Sequence, residues 1–169
     1  ENGAGKSTLI KILDGIYPAG AYEGEIFLDG NPVQFHSPHD ARRKGIGYVP
    51  QEITVIDGLS VAENLFVGHW NPGGGAIVHF GRLYARAQEV LDACRIRLDP
   101  RSRVSVLNAS QRQLVMIARA LATRPSLLIL DEATACLTLD ETQNLFGVLR
   151  HLRRKIMAVH VHAHFPAFA

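Results

Sequence analysis

The sequence predicts an α/β fold: a mostly parallel sheet at the core, with an antiparallel β subdomain and a mostly helical insertion. Three observations predict it. The glycine-rich turn Gly3-Ala4-Gly5 runs directly into a helical pattern. Leu127-Leu128-Ile129-Leu130 is a continuous apolar run of strand length, as expected of a parallel strand buried on both faces. Between them, strand-like alternation gives way to helical periodicity, and the apolar run is itself followed by a helix and a further strand.

Each element has its own signal. Residues 8–13 continue the opening turn as a helix, stopped by Gly15 and Pro18. Residues 23–28 alternate and turn at Asp29-Gly30-Asn31-Pro32, a β-hairpin into residues 33–35. Ser37-Pro38 starts a short basic helix that ends at Gly45. Residues 46–49 form a short strand broken by Pro50. Ser60-Val61-Ala62-Glu63 has capping-box spacing, so a helix begins at Ser60. Asn71-Pro72-Gly73-Gly74-Gly75 is a loop, and residues 82–94 are helical again. Over residues 111–122, Leu114, Val115, Ile117, Ala118, Leu121 and Ala122 recur at helical spacing, which makes that helix amphipathic. Residues 140–155 form a helix whose last turn carries Arg153, Arg154 and Lys155 at its negative dipole end. The reading is a single domain over residues 1–169, with a helical subdomain over approximately 60–123.

Composition bounds the function. At 169 residues the chain suits one domain and can bury a core; 47% hydrophobic and 20% charged residues exclude a disordered chain. A net charge of +2 gives no argument for nucleic acid or a membrane surface, and no nucleic-acid partner is expected. Cys94 and Cys136 are the only cysteines and have no paired spacing. They suit a reducing compartment, as buried or incidental thiols. No apolar run approaches the ~18 residues needed to span a bilayer.

The chemistry starts at the first residue. Glu1-Asn2-Gly3-Ala4-Gly5-Lys6-Ser7-Thr8 is the pattern G-x-x-x-x-G-K-[ST] without its first glycine, so the expectation is a fragment, truncated at the N-terminus and, from its tail, at the C-terminus. The phosphate-binding positions are Asn2, Gly3, Ala4, Gly5, Lys6, Ser7 and Thr8. Gly3 and Gly5 let backbone N–H groups close around phosphate oxygens, and the helix that follows points its positive end at them. Lys6 is placed to reach the β- and γ-phosphates, and the Ser7 hydroxyl to ligate Mg²⁺. At the other end of the chain, the buried strand delivers Asp131 and Glu132 to the carboxyl edge of the sheet. There Asp131 would hold Mg²⁺ through water, and Glu132 would polarise the water that attacks the γ-phosphate. Alone, that pair also fits an acidic helix cap; joined to the phosphate loop it reads as catalytic.

Together these residues resemble the ATP-binding-cassette ATPases, in particular the first nucleotide-binding domain of bacterial ribose/xylose-type monosaccharide importers. The resemblance rests on Glu1 to Leu9, on Tyr22-Glu23-Gly24-Glu25-Ile26, on Gly47-Tyr48-Val49-Pro50-Gln51-Glu52, on residues 59–68, and on residues 131–138, in that order. It implies a P-loop NTPase core that uses ATP and Mg²⁺. It implies that Gln51 contacts Mg²⁺ at the joint with the helical subdomain, and that Leu137 and Thr138 belong to the loop meeting a partner. The second nucleotide-binding domain and membrane permease subunits are the implied partners, at the cytoplasmic face of the plasma membrane. Cys136 in that loop reads as a small filler.

Two segments depart from the family pattern. The signature L-S-x-G-Q appears as Leu107-Asn108-Ala109-Ser110-Gln111. In the family this helix start approaches the γ-phosphate held by the opposite subunit. Asn108 can still donate where serine would, whereas Ser110 adds a side chain where glycine leaves none. In the tail, His164 falls where the family has its phosphate-sensing histidine. His160, His162 and His164 would share one strand face, and two readings stay open: a Zn²⁺ or Ni²⁺ site, or an altered end of the domain. The catalytic residues on this reading are Glu132, Gln51 and His164, and the Mg²⁺ ligands Ser7, Gln51 and Asp131. Alternatives are an impaired or remnant ATP-binding domain and a cassette ATPase without a transporter.

Overall fold

The computed structural model describes residues 5–28, 30–67, 78–152 and 158–162. Asn2, Gly3, Ala4, the loop at 71–75 and His164 lie outside the described residues.

The opening helix α1 spans Lys6–Leu13. It stops at Gly15, whose φ of 75° suits glycine, and a Cβ there would lie 2.5 Å from the Ser37 carbonyl oxygen. That contact places the end of α1 against the start of α2, Pro38–Arg43, which is capped by Ser37. Between them, β1 (Ile26–Leu28) and β2 (Asn31–Val33) form the antiparallel hairpin. The expected four-residue turn and strand at 33–35 are corrected here: Leu28 pairs with Asn31 and Phe27 with Pro32, so the strands join by two residues and β2 starts earlier. Pro32 is tolerated because a two-stranded hairpin consists of edge strands, where a missing N–H need cost no ladder bond. Phe35 lies past the strand, fully buried in the core.

The main sheet is parallel, in the order β3 (Ile46–Val49), β4 (Leu127–Asp131), β5 (Ala158–His162). Ile46 pairs with Leu127 and Val49 with Leu130; across the other edge of β4, Ile129 pairs with His160 and Asp131 with His162. β4 is buried on both faces, as the unbroken apolar run requires. Leu128 and Leu130 join Val49 in the larger core; Ile129 joins Ile46 in the smaller one, with Ile10, Phe35 and Ala41. Each such side chain contributes roughly 1.5–3 kcal/mol on burial.

The larger core continues into α3 (Val61–Leu65), α4 (Phe80–Ala93), α5 (Ala109–Ala122) and α6 (Leu139–Leu152). Ser60 caps α3 rather than starting it, and its capping box with Glu63 is formed. α4 starts two residues earlier than the periodicity suggests. So does α5, because Asn108 takes the cap position and Ala109 and Ser110 enter the first turn. α6 begins at Leu139, and the three basic residues expected in its last turn lie outside the described residues. Cys94 is buried, which pushes its thiol up to about 11, whereas Cys136 is exposed and is therefore no packing filler.

Candidate functional site

β3 and β4 run parallel, so Pro50-Gln51 and Asp131-Glu132 leave the sheet at the same carboxyl edge. Lys6, the first residue of α1, reaches that edge. Its Nζ lies 3.1 Å from Asp131 Oδ1 and 3.9 Å from Glu132 Oε1. Residues 125 positions apart are thus brought into one charged cluster. The side chains are 34% (Lys6), 13% (Asp131) and 21% (Glu132) exposed. Among the described residues, Gln51 is exposed in the turn two residues past β3, and Ser7 and Thr8 are exposed on the first turn of α1.

The N-terminus of α1 carries no side-chain cap among the described residues: its cap position is Gly5, at φ 79°, and no side-chain cap hydrogen bond closes the first turn. α2, α3 and α5 are closed by Ser37, Ser60 and Asn108, whereas α4, capped at His79, shares with α1 the lack of a side-chain cap. An α-helix leaves its first N–H groups without intrahelical partners, and the summed peptide dipoles put partial positive charge there. Lys6 adds a full charge at the same point.

Glu132 carries a feature that the sequence does not announce: its φ is 51°. Glutamate is rare in the left-handed region, at a cost of roughly 1–2 kcal/mol. That conformation ends β4 abruptly and sends the chain into a turn in which the Ala135 N–H donates to the Glu132 carbonyl at 3.1 Å. Tyr48, on β3, has its phenol pKa raised, chiefly by burial and further by the charges of Asp131 and Asp14.

The segment at 107–111 behaves differently. Asn108 Oδ1 accepts from the Gln111 N–H at 2.8 Å, and Gln111 Oε1 accepts from the Asn108 N–H at 3.1 Å, a reciprocal capping box. The Ser110 hydroxyl donates to Glu141 Oε2 at 2.5 Å, so it is turned to α6. Sequence reading passed over Glu141, although Thr138-Leu139-Asp140-Glu141 has the capping-box spacing that would have found it. His160 and His162 lie in β5 in register with Ile129 and Asp131. Among the described residues, no group of three or more His, Cys, Asp or Glu could hold a metal ion.

The ABC transporter family matches residues 1–135. This chain belongs to that family. It is 46% identical over 160 residues to a ribose import ATP-binding protein of Rubrobacter xylanophilus, covering 94% of this chain and 31% of that protein. It is 40% identical over 154 residues to a xylose import ATP-binding protein of Thermoanaerobacter pseudethanolicus, covering 91% and 30%. The cassette therefore spans about a third of the length of these relatives. Among solved structures, a dimeric ATP-binding cassette in a post-hydrolysis state with ADP and Pi is 26% identical, with a TM-score of 0.74, over 95% of this chain and 70% of that one. A nucleotide-free cassette from an ABC transporter has a TM-score of 0.76 at 24% identity, over 97% and 68%, and shows the fold. The α/β fold expected from the sequence is thereby borne out, as is the family.

Proposed function

We propose that this cassette binds and hydrolyses Mg·ATP as the first nucleotide-binding domain of a bacterial monosaccharide importer of the ribose/xylose kind. The observation that carries the reading is the convergence of Lys6, Asp131 and Glu132 beside an α1 N-terminus that has no side-chain cap among the described residues. The donor set fits the groups it would take. Lys6 and the amides of the first turn suit phosphate oxygens; the Ser7 hydroxyl, the Asp131 carboxylate and the Gln51 amide offer hard oxygens of the kind Mg²⁺ prefers. The metal, when bound, neutralises charge on the β- and γ-phosphates.

The chain's own residues then have separate tasks. Lys6 transfers its ammonium from Asp131 towards the phosphates. That frees Asp131 for the metal and leaves Glu132 to accept a hydrogen bond from the attacking water. As the water oxygen bonds to the γ-phosphorus, its proton passes towards Glu132 and the bond to the β-bridging oxygen breaks, releasing ADP and phosphate. Asn2, Gly3, Ala4 and Thr8 complete the cradle, and His164 is assigned to the γ-phosphate. The α5 start, Asn108, Ala109, Ser110 and Gln111, faces the ATP of the second nucleotide-binding domain through its backbone, with the Ser110 hydroxyl turned away to Glu141. Residues 1–169 form one nucleotide-binding domain, with 60–123 as its helical subdomain. Membrane permease subunits hold it at the cytoplasmic face of the plasma membrane, and no nucleic acid takes part. Among the described residues no helix is long and apolar enough to cross a membrane.

Glu132→Gln tests the reading. The amide preserves shape but cannot take the proton, so turnover should fall about 10²- to 10⁴-fold while ATP affinity changes little. ATP hydrolysis at the parental rate in this variant would remove Glu132 from the reaction.

A further inference from the structure

One carboxylate oxygen, Glu141 Oε2, accepts three hydrogen bonds. Two come from Thr138, its N–H and its Oγ1, each at 2.9 Å. With the Glu141 N–H donating back to Thr138 Oγ1 at 3.3 Å, they close the N-terminus of α6. The third comes from Ser110 Oγ at 2.5 Å, on a different helix 31 residues earlier. A capping box needs only the first two. The Ser110 bond does something else: it ties the N-terminal tip of α5 to the N-terminal tip of α6.

The far side of that tie leads back to the catalytic edge. Ala135 N–H donates to the Glu132 carbonyl and Leu137 N–H to the Thr134 carbonyl, each at 3.1 Å. Two tight turns therefore connect Glu132 to Thr138 with no slack residue between. The Ser110–Glu141 bond, the Thr138 cap and Glu132 thus lie on one short, hydrogen-bonded stretch of chain. The bonds favour the ionised carboxylate and lower the Glu141 pKa, with the Ser110 bond the largest cause.

We propose that Glu141 is a positioning residue, with Ser110 as its donor, that keeps the α5 N-terminus in fixed register with the turn carrying Glu132. The proposal rests on the ATPase reading given above. On this account Ser110 is a strut where the family pattern has a glycine, and its hydroxyl is useful rather than obstructive. Glu141 touches no reacting atom.

Ser110→Ala separates this role from helix capping, because it removes the bridge and leaves the Thr138–Glu141 cap whole; Ser110→Thr restores a hydroxyl. Both are measured in the complete polypeptide, with kcat and KM for ATP and the melting temperature. Ser110→Ala should lose about tenfold in kcat, the scale of a hydrogen bond to a charged group, with KM unchanged. Ser110→Thr should recover the parental kcat to within about twofold. The positioning role is overturned by a kcat within twofold of the parent in Ser110→Ala, by equal losses in Ala and Thr, or by a loss expressed in KM. If the parent turns over no ATP, or if Lys6→Ala binds ATP as the parent does, the ATPase reading falls and takes this one with it. A normal parent with a silent Ser110→Ala removes the strut alone.

Discussion

Two helices of this cassette present their N-termini to places where phosphate is expected, and they are built in opposite ways. α1 has Gly5 at its cap, without a side-chain cap among the described residues, and its lysine is shared between Asp131 and Glu132. α5 begins at Asn108, with a reciprocal capping box and a serine hydroxyl bound to Glu141. The first end leaves its donors and its charge available. The second satisfies its own side chains. A helix start that must take an anion by itself gives up stability for openness, whereas one that meets an anion only when a partner closes on it has to hold its shape alone. On the function proposed above, the difference fits binding at α1 and rigidity at α5.

Lys6→Ala is the strongest way to break the comparison. It removes the Lys6 cation from the open end, so ATP affinity should fall about 10- to 150-fold, the range of a charge-assisted hydrogen bond, as read by titration calorimetry. The nucleotide-free melting temperature should move little, because the Lys6 side chain is a third exposed and its pair with Asp131 is screened by solvent. A large drop in melting temperature with unchanged affinity would reverse the assignment and make the Lys6–Asp131 pair structural.

Asn108→Ala should do the opposite. Losing an N-cap side chain costs about 1 kcal/mol, which lowers the melting temperature by roughly 2–4 °C in a domain of this size. ATP affinity of the single cassette should stay within experimental error, since α5 offers nothing to the nucleotide held by Lys6. Asn108→Ser should melt with the parent, because serine caps as well as asparagine. If Asn108→Ala weakened ATP binding in the unassociated cassette, the division between the two ends would not hold.

The contrast was half legible in the sequence. Gly5-Lys6-Ser7 and the run ending in Asp131-Glu132 fixed both walls of the site, because glycine freedom, a lysine and an apolar strand with terminal carboxylates are local signals. Their meeting at 3.1 Å is what the structure adds. The junction of α5 and α6 was not legible. Ser110 read as a deviation from a pattern, since its partner Glu141 is distant in sequence and no local period links a residue in one helix's first turn to one in another's. The left-handed Glu132 was equally hidden, because backbone strain is set by what the surroundings enforce rather than by residue type. The hairpin turn went astray for a simpler reason: Asn31 and Pro32 are turn-formers by composition, yet they sit in β2 because two residues suffice to reverse the chain.

The smallest expected effect probes α1 from its other end. Asp14 is the C-cap, a carboxylate at the negative end of the helix dipole. Burial raises its pKa to about 6, with Arg42 pulling the other way. The sign follows from proton counting. The ordinary value is 3.8, so between about pH 4 and 6 the folded chain holds a proton that the unfolded chain has released. The associated stability is fully present below about pH 4 and is lost as pH rises through 6. An amide in place of the carboxylate has no charge to bury, so Asp14→Asn should raise the melting temperature at pH 7 by about 2 °C once partial exposure is allowed for, and should leave it unchanged at pH 4. Nucleotide affinity should not respond, because the charge sits at the far end of α1 from Lys6. Equal stabilisation at both pH values would mean that burial of the Asp14 charge is not the cause, and a change in ATP affinity would show that the two ends of α1 are not independent.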